Sequence, residues 1–223
     1  MNLLSPSEVR VIGALIEKAV TTPDNYPLTL NALTHACNQA SNRDPVTDFD
    51  EGIVTDTIET LRLKKLVHIV RRGDSRVIRY RHVANETLEL KANEVAVMAV
   101  LMLRGPQTVG EVRTRSSRLH QFVNLLAVEE TLNGLMSREP EAFVLRLSRQ
   151  PGQKEVRYVH TLSGDVGAGE SEIGVQQNPS RLEVAAAPDG DSRLSQLEDL
   201  TQDLQAQVED LRQQLDQFRK EFQ

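Results

Sequence analysis

The chain has one cysteine, no tryptophan and no long apolar run, and each lack closes off a class of function. The single cysteine, Cys37, forms no internal disulfide, cannot build a multi-cysteine zinc site, and fits a reducing compartment. Aromatics are 4% of the 223 residues, too few for an extended platform on which bases or sugars stack. The longest apolar run, VAVMAVLML at 95–103, has nine residues, about half of the roughly 20 that a spanning helix needs. The opening MNLLSPSEVR carries no basic segment ahead of an apolar one, so no secretory signal is expected. A cytoplasmic protein without membrane contact is the expectation.

Motifs of reaction chemistry are missing too. There is no glycine loop shaped to cradle phosphates, no cluster of metal ligands and no nucleophile–base pair. His35 and Cys37 stand two positions apart; on a helix such residues point about 200° apart. Cys37 reads instead as a small buried hydrophobe. No catalytic residue, metal or cofactor is expected, and the chain reads as a non-enzyme.

Charge is unevenly spread. Residues 1–90 carry a net of −1, residues 91–162 a net of +3, and residues 163–223 a net of −8, so the overall −6 belongs to the C-terminal quarter.

Helix signals begin at once. Ser5, Pro6 and Glu8 compose a capping box with proline in the first turn. Val9, Ile12, Leu15, Ile16 and Val20 follow at helical spacing. TTPDNYP breaks the chain, and Thr29 starts a second helix through Leu30, Leu33 and Ala36. In ACNQASNRDPV, Asn38, Ser41, Asn42, Asp44 and Pro45 read as helix termination and turn. Arg43 is left over; it could pair with Asp44 or Asp48, or reach a phosphate. Thr47 and Asp48 then look like the start of a third helix, with Val54, Ile58 and Leu61 as its buried stripe. VHIVRR, the turn GDS and RVIRYRHV read as a β-hairpin.

This order repeats. LSPSEVRVIGALIEK (4–18) aligns with LKANEVAVMAVLMLR (90–104), and VTDTIETL (54–61) with VEETLNGL (128–135). Thr108 and Glu111 supply the middle helix's capping box, and each hairpin carries Arg-Tyr, at 79–80 and at 157–158. Three helices closed by a two-stranded ribbon is the winged-helix arrangement. The expected fold class is mainly α with small β-hairpins (α+β). Tandem winged-helix domains at 1–86 and 87–162 are followed by a flexible acidic linker at 163–191 and a coiled-coil helix at 192–223. In that last segment Leu194, Leu197, Leu204, Val208, Leu211, Leu215, Phe218 and Phe222, with Thr201, alternate steps of three and four. This is a heptad seam that needs a partner. A parallel homodimer is the first expectation, and packing back on the body the alternative.

RVIGALIEKAVTTPDNYPL, ACNQASNRDPV, LKANEVAVMAVLMLRGPQTVGEVRTRS and FVLRLSRQPGQKEVRYVH together resemble the YceH-like family of bacterial proteins, nearly continuously over residues 4–162. The resemblance implies the tandem winged-helix fold. It brings no activity, cofactor or binding residue with it.

Two kinds of partner follow from the residues. The hairpin arginines Arg71, Arg72, Arg76, Arg79 and Arg81, with Arg113, Arg115, Arg146 and Arg157 in the second copy, suit contact with DNA phosphates, which positions without reading sequence. Arg79 and Arg81 share one strand face and are expected to meet water together. The third helices speak against base reading, because Asp56 and Glu59 in one and Glu129 and Glu130 in the other would be repelled by phosphates. Those carboxylates suit a protein partner instead. DNA association and a protein-adaptor role are both carried forward, the first narrowly ahead.

Overall fold

The computed structural model describes residues 3–71, 77–149 and 153–164. About half of these are helical, and the rest include two small antiparallel strand pairs. Arg72, Arg76, the two hairpin tips, most of the linker and the whole heptad seam lie outside the described residues.

Helix α1 spans Pro6–Thr21, capped by Ser5, whose hydroxyl accepts from Glu8 N while the Glu8 carboxylate accepts from Ser5 N at 2.7 Å. Helix α2 is Leu30–Cys37, capped by Thr29. Helix α3 is Glu51–Leu63. Its cap is Asp50, later than the Thr47–Asp48 start expected from sequence. Those residues are diverted because Asn38 clasps the backbone of Phe49 from both sides, and Thr47 donates to Cys37 O at 3.1 Å. Strands β1 (Val67–Arg71) and β2 (Ile78–His82) pair next, followed by a single turn, α4 (Ala84–Thr87).

The second copy runs α5 (Ala92–Arg104), α6 (Val109–Ser116), α7 (Leu125–Met136), β3 (Val144–Arg146) and β4 (Tyr158–His160). The Thr108–Glu111 capping box forms as its spacing demands. Each copy adds the same bridge: Leu28 pairs with Tyr80, and Gln107 with Tyr158, tying the chain just before the second helix to the hairpin.

The two copies share one core. Helix α1 packs on α5, and buried residues of both copies join in a single cluster. That explains an apolar run without a membrane: Ala96–Leu103 are buried on every side, with α1 on one face and α6 and α7 on the other. Contact is close where Gly13 faces α5, since a Cβ there would stand 2.9 Å from the Leu103 side chain and 3.3 Å from Met102 Cβ. Of the apolar positions read into α1, Val9, Ile12, Leu15 and Ile16 are buried, whereas Val20 is exposed. Backbone bonds lock the copies further: Leu4 N donates to Leu162 O at 2.7 Å, and Asp44 N to Leu103 O at 2.9 Å.

Candidate functional site

The arginines read from sequence as phosphate contacts divide into two groups. Arg79 and Arg157 occupy matching positions beside the hairpin tyrosines, and each donates to a proline carbonyl ahead of the second helix. The distance is 2.9 Å in both cases, to Pro27 O and Pro106 O. Arg157 also pairs with Glu111 at 2.8 Å. Arg115 donates to Gln107 Oε1 and lies 3.3 Å from the same Glu111. Arg79 and Arg157 hold the fold together, and Arg115 is anchored to it while also lining a cleft beside α6. The Arg81 side chain stays 39% exposed, and it also reaches Glu86 at 3.6 Å and His68 at 3.5 Å. The strand alternation was sound, but a guanidinium's reach lets it double back on its own fold.

Arg71 and Arg146 are exposed near the ends of the first strand of each hairpin and make no ion pair among the described residues. Arg113 is exposed and makes one long bond, 3.3 Å to Val123 O.

The third helices differ more than their shared carboxylates suggest. On α3, Asp56 and Glu59 are exposed, and Glu59 is occupied by Arg62 at 2.6 Å. On α7, Val128, Thr131, Leu132 and Leu135 form the buried stripe. The outward face carries Leu126, Glu129 and Glu130, and Leu125 is exposed at the helix start. Leu126 lies one turn from both carboxylates, at i+3 and i+4, so apolar and acidic groups form one patch. Val123, just before the helix, is 87% exposed, Leu126 58% and Leu125 46%. Glu129 and Glu130 make no ion pair among the described residues. Sequence reasoning found the carboxylates and missed the leucines beside them. The signal was available in part, because Leu126 falls off the period of the buried stripe, whereas Leu125 continues it and is exposed only because it stands at the helix start.

The polar loop after Cys37 has an internal purpose. Arg43 is 6% exposed and donates to Ala36 O, Asn42 O, Gln39 Oε1 and both oxygens of Glu17, the shortest at 2.6 Å. Its partner is therefore Glu17, not Asp44, Asp48 or a phosphate. Arg10, equally buried, donates to Cys37 O and Pro45 O from the other side. Burial first, and then the charge on Arg43, pushes the Arg10 pKa down. Cys37 is fully buried, and desolvation raises its thiol to about 12, which leaves no thiolate for nucleophilic or metal chemistry. His35 is exposed and bonds Asn31 O. No group of three metal-capable side chains occurs among the described residues, and no helix there is long and apolar enough to cross a membrane.

The chain matches over residues 4–153 the family model described as "Protein of unknown function, DUF480". It is 51% identical over 187 residues to a UPF0502 protein of Geotalea daltonii, covering 82% of this chain and 83% of that one. A UPF0502 protein of Pelobacter propionicus is 45% identical over 221 residues, 99% of this chain and 98% of the relative. One of Aliivibrio fischeri is 44% identical over 216 residues, 95% and 96% of the two chains. None of these names is enzymatic. With most of its length aligned to such relatives, and in keeping with the YceH-like resemblance, the chain belongs to the DUF480/UPF0502 family of bacterial proteins.

Proposed function

We propose that this chain is a non-enzymatic tandem winged-helix protein that works by gripping another protein, with the start of α7 as its principal contact. One observation carries the reading: three exposed apolar side chains, Val123, Leu125 and Leu126, stand beside the unpaired Glu129 and Glu130. Solvent-exposed leucines cost little singly, but grouped with charges of one sign they suit a basic, amphipathic segment of a partner. The same feature weighs against groove reading, since the helix would bring two carboxylates up to DNA phosphates.

A photo-crosslinker placed at position 126 of the full chain tests this in cells. The expected result is a discrete protein adduct that disappears with Glu130→Lys and is absent when the crosslinker stands at Arg146. An adduct with nucleic acid from position 146, and none from 126, would reverse the conclusion.

That reversal is the second reading, DNA association through the hairpins, supported by the exposed Arg71 and Arg146. It predicts binding whose log–log salt slope is about −0.9 per phosphate neutralised. In either case the heptad pattern of 192–223 is read as a self-association device that presents two bodies at once. A chain ending at residue 191 should sediment as a monomer where the full chain is a dimer; equal masses would remove the seam from the account.

A further inference from the structure

Between the copies lies a cleft of about 460 Å³, within the roughly 300–1,000 Å³ typical of small-ligand sites. Its walls come from α1, the loop after α2, α5 and α6, and Ala99, Val100 and Leu103 of the buried α5 line it. Four cations line it, Lys18, Arg104, Arg115 and Arg118, against one carboxylate, Glu17. That carboxylate is already taken by both terminal nitrogens of Arg43, the nearer at 2.6 Å, and Lys18 stands 3.9 Å from it.

The imbalance persists one layer back. Arg115 draws on Glu111, but Glu111 also serves Arg157. Arg104 donates to Asn42 Oδ1, a neutral acceptor. Arg118 is exposed and has no hydrogen bond or ion pair among the described residues. Helix ends explain a part of this: α1, α5 and α6 all finish around the cleft, each with a partial charge of about −0.5. Three such ends fall short of offsetting four cations whose neighbouring carboxylates are shared. Consistent with an uncompensated cluster, the Arg104 pKa is pushed down by burial and then by the charge on Arg115.

We propose that this cleft is a binding site for a phosphate-bearing small molecule, held between the two copies by Lys18, Arg104, Arg115 and Arg118. Guanidinium groups meet phosphate oxygens in bidentate fashion, and Ser41 and Ser117 add hydroxyl donors at the same walls. Because the ligand touches elements of both copies, it braces them against each other. The site is separate from the α7 patch and does not depend on what that patch binds.

The same phosphate chemistry could come from a nucleic-acid backbone, and the test separates the two. Inorganic pyrophosphate is titrated into the full chain by calorimetry in chloride buffer at constant ionic strength, with a parallel titration of duplex DNA. Saturable one-site binding of pyrophosphate is expected. The double variant Lys18→Gln/Arg118→Gln should weaken it about tenfold or more, a loss of about 1.4 kcal/mol. Arg146→Gln, elsewhere on the surface, should leave it unchanged. Neither Lys18 nor Arg118 holds the fold by a hydrogen bond among the described residues, so the variant should fold, and its unliganded melting temperature checks that. Pyrophosphate should raise the melting temperature of the parent and not of the variant. Unsaturable heats, or equal weakening by Arg146→Gln, would overturn the proposal. So would duplex binding lost in the double variant when pyrophosphate does not bind.

Discussion

The connection into the third helix is built differently in the two copies. In the first, 13 residues (38–50) separate α2 from α3; in the second, eight (117–124) separate α6 from α7. Both end on the same cap, Asp50 in one and Asn124 in the other, accepting from the amide three residues on. The longer connection is fastened by Arg10 and Arg43, and it delivers Glu51 and Gly52 to the helix start. The shorter one has no buried cation and delivers Leu125 and Leu126 into water. One copy has spent its loop on internal order, and the other leaves an apolar helix end exposed.

The sharpest way to break this contrast is to remove its central side chain. Arg43→Ala takes from Glu17 its close, buried counter-charge, with only Lys18 left at 3.9 Å, and leaves Ala36 O without these donors, so a loss of about 3–5 kcal/mol is expected in urea unfolding. Arg113→Ala, in the second copy, should stay within about 0.5 kcal/mol. Equal losses would mean that the two loops are alike.

Acid comes next, and it acts on both copies together. His82 and His160 hold matching positions on β2 and β4, and burial lowers each pKa to about 4. An unfolded histidine titrates near 6.5, so between about pH 6.5 and 4 the unfolded chain binds more protons. Stability is then fully present above about pH 6.5 and falls on acidification, by roughly 2 kcal/mol per histidine at about pH 5 and roughly 3 kcal/mol by about pH 4. Unfolding midpoints taken at pH 7 and pH 5 should therefore differ, and a His82→Gln/His160→Gln chain should narrow that gap.

A smaller difference separates the two hairpin arginines. Arg79→Ala should cost about 1 kcal/mol for one lost bond to a carbonyl. Arg157→Ala should cost up to about 2 kcal/mol, because Glu111 loses a partner as well. Smallest of all for stability is transplanting the first copy's helix start into the second, Leu125→Glu with Leu126→Gly. A change within about 1 kcal/mol is expected, together with loss of the protein adduct formed from a crosslinker moved to the neighbouring exposed position 123; an unaffected adduct would detach the α7 patch from function.

What could be read in the sequence was whatever is decided within a few residues. Ser5 with Glu8 and Thr108 with Glu111 are local pairs, and both boxes form as their spacing demands. The period of Val54, Ile58 and Leu61 placed the buried side of α3 for the same reason. Arg43 shows where such reading ends: its partner stands 26 residues away on another helix. No spacing rule distinguishes Glu17 from the nearer Asp44 or Asp48. The start of α3 was displaced by a similar reach, since Asn38 bonds a backbone 11 positions on. The cleft between the copies could not be foreseen at all. Its four cations come from three helices and a connecting turn, and only the packing of α1 on α5 gathers them.

The backbone bond from Leu4 to Leu162 has a consequence for chain connectivity. It brings the beginning of the first copy beside the end of the second, closing the described body into a ring that covalent order leaves open at that one place. A chain rewired to start with the second copy and continue into the first, joined by a short bridge there, could trace the same body. The order in which the halves leave the ribosome is thus a property of the gene rather than a demand of the fold.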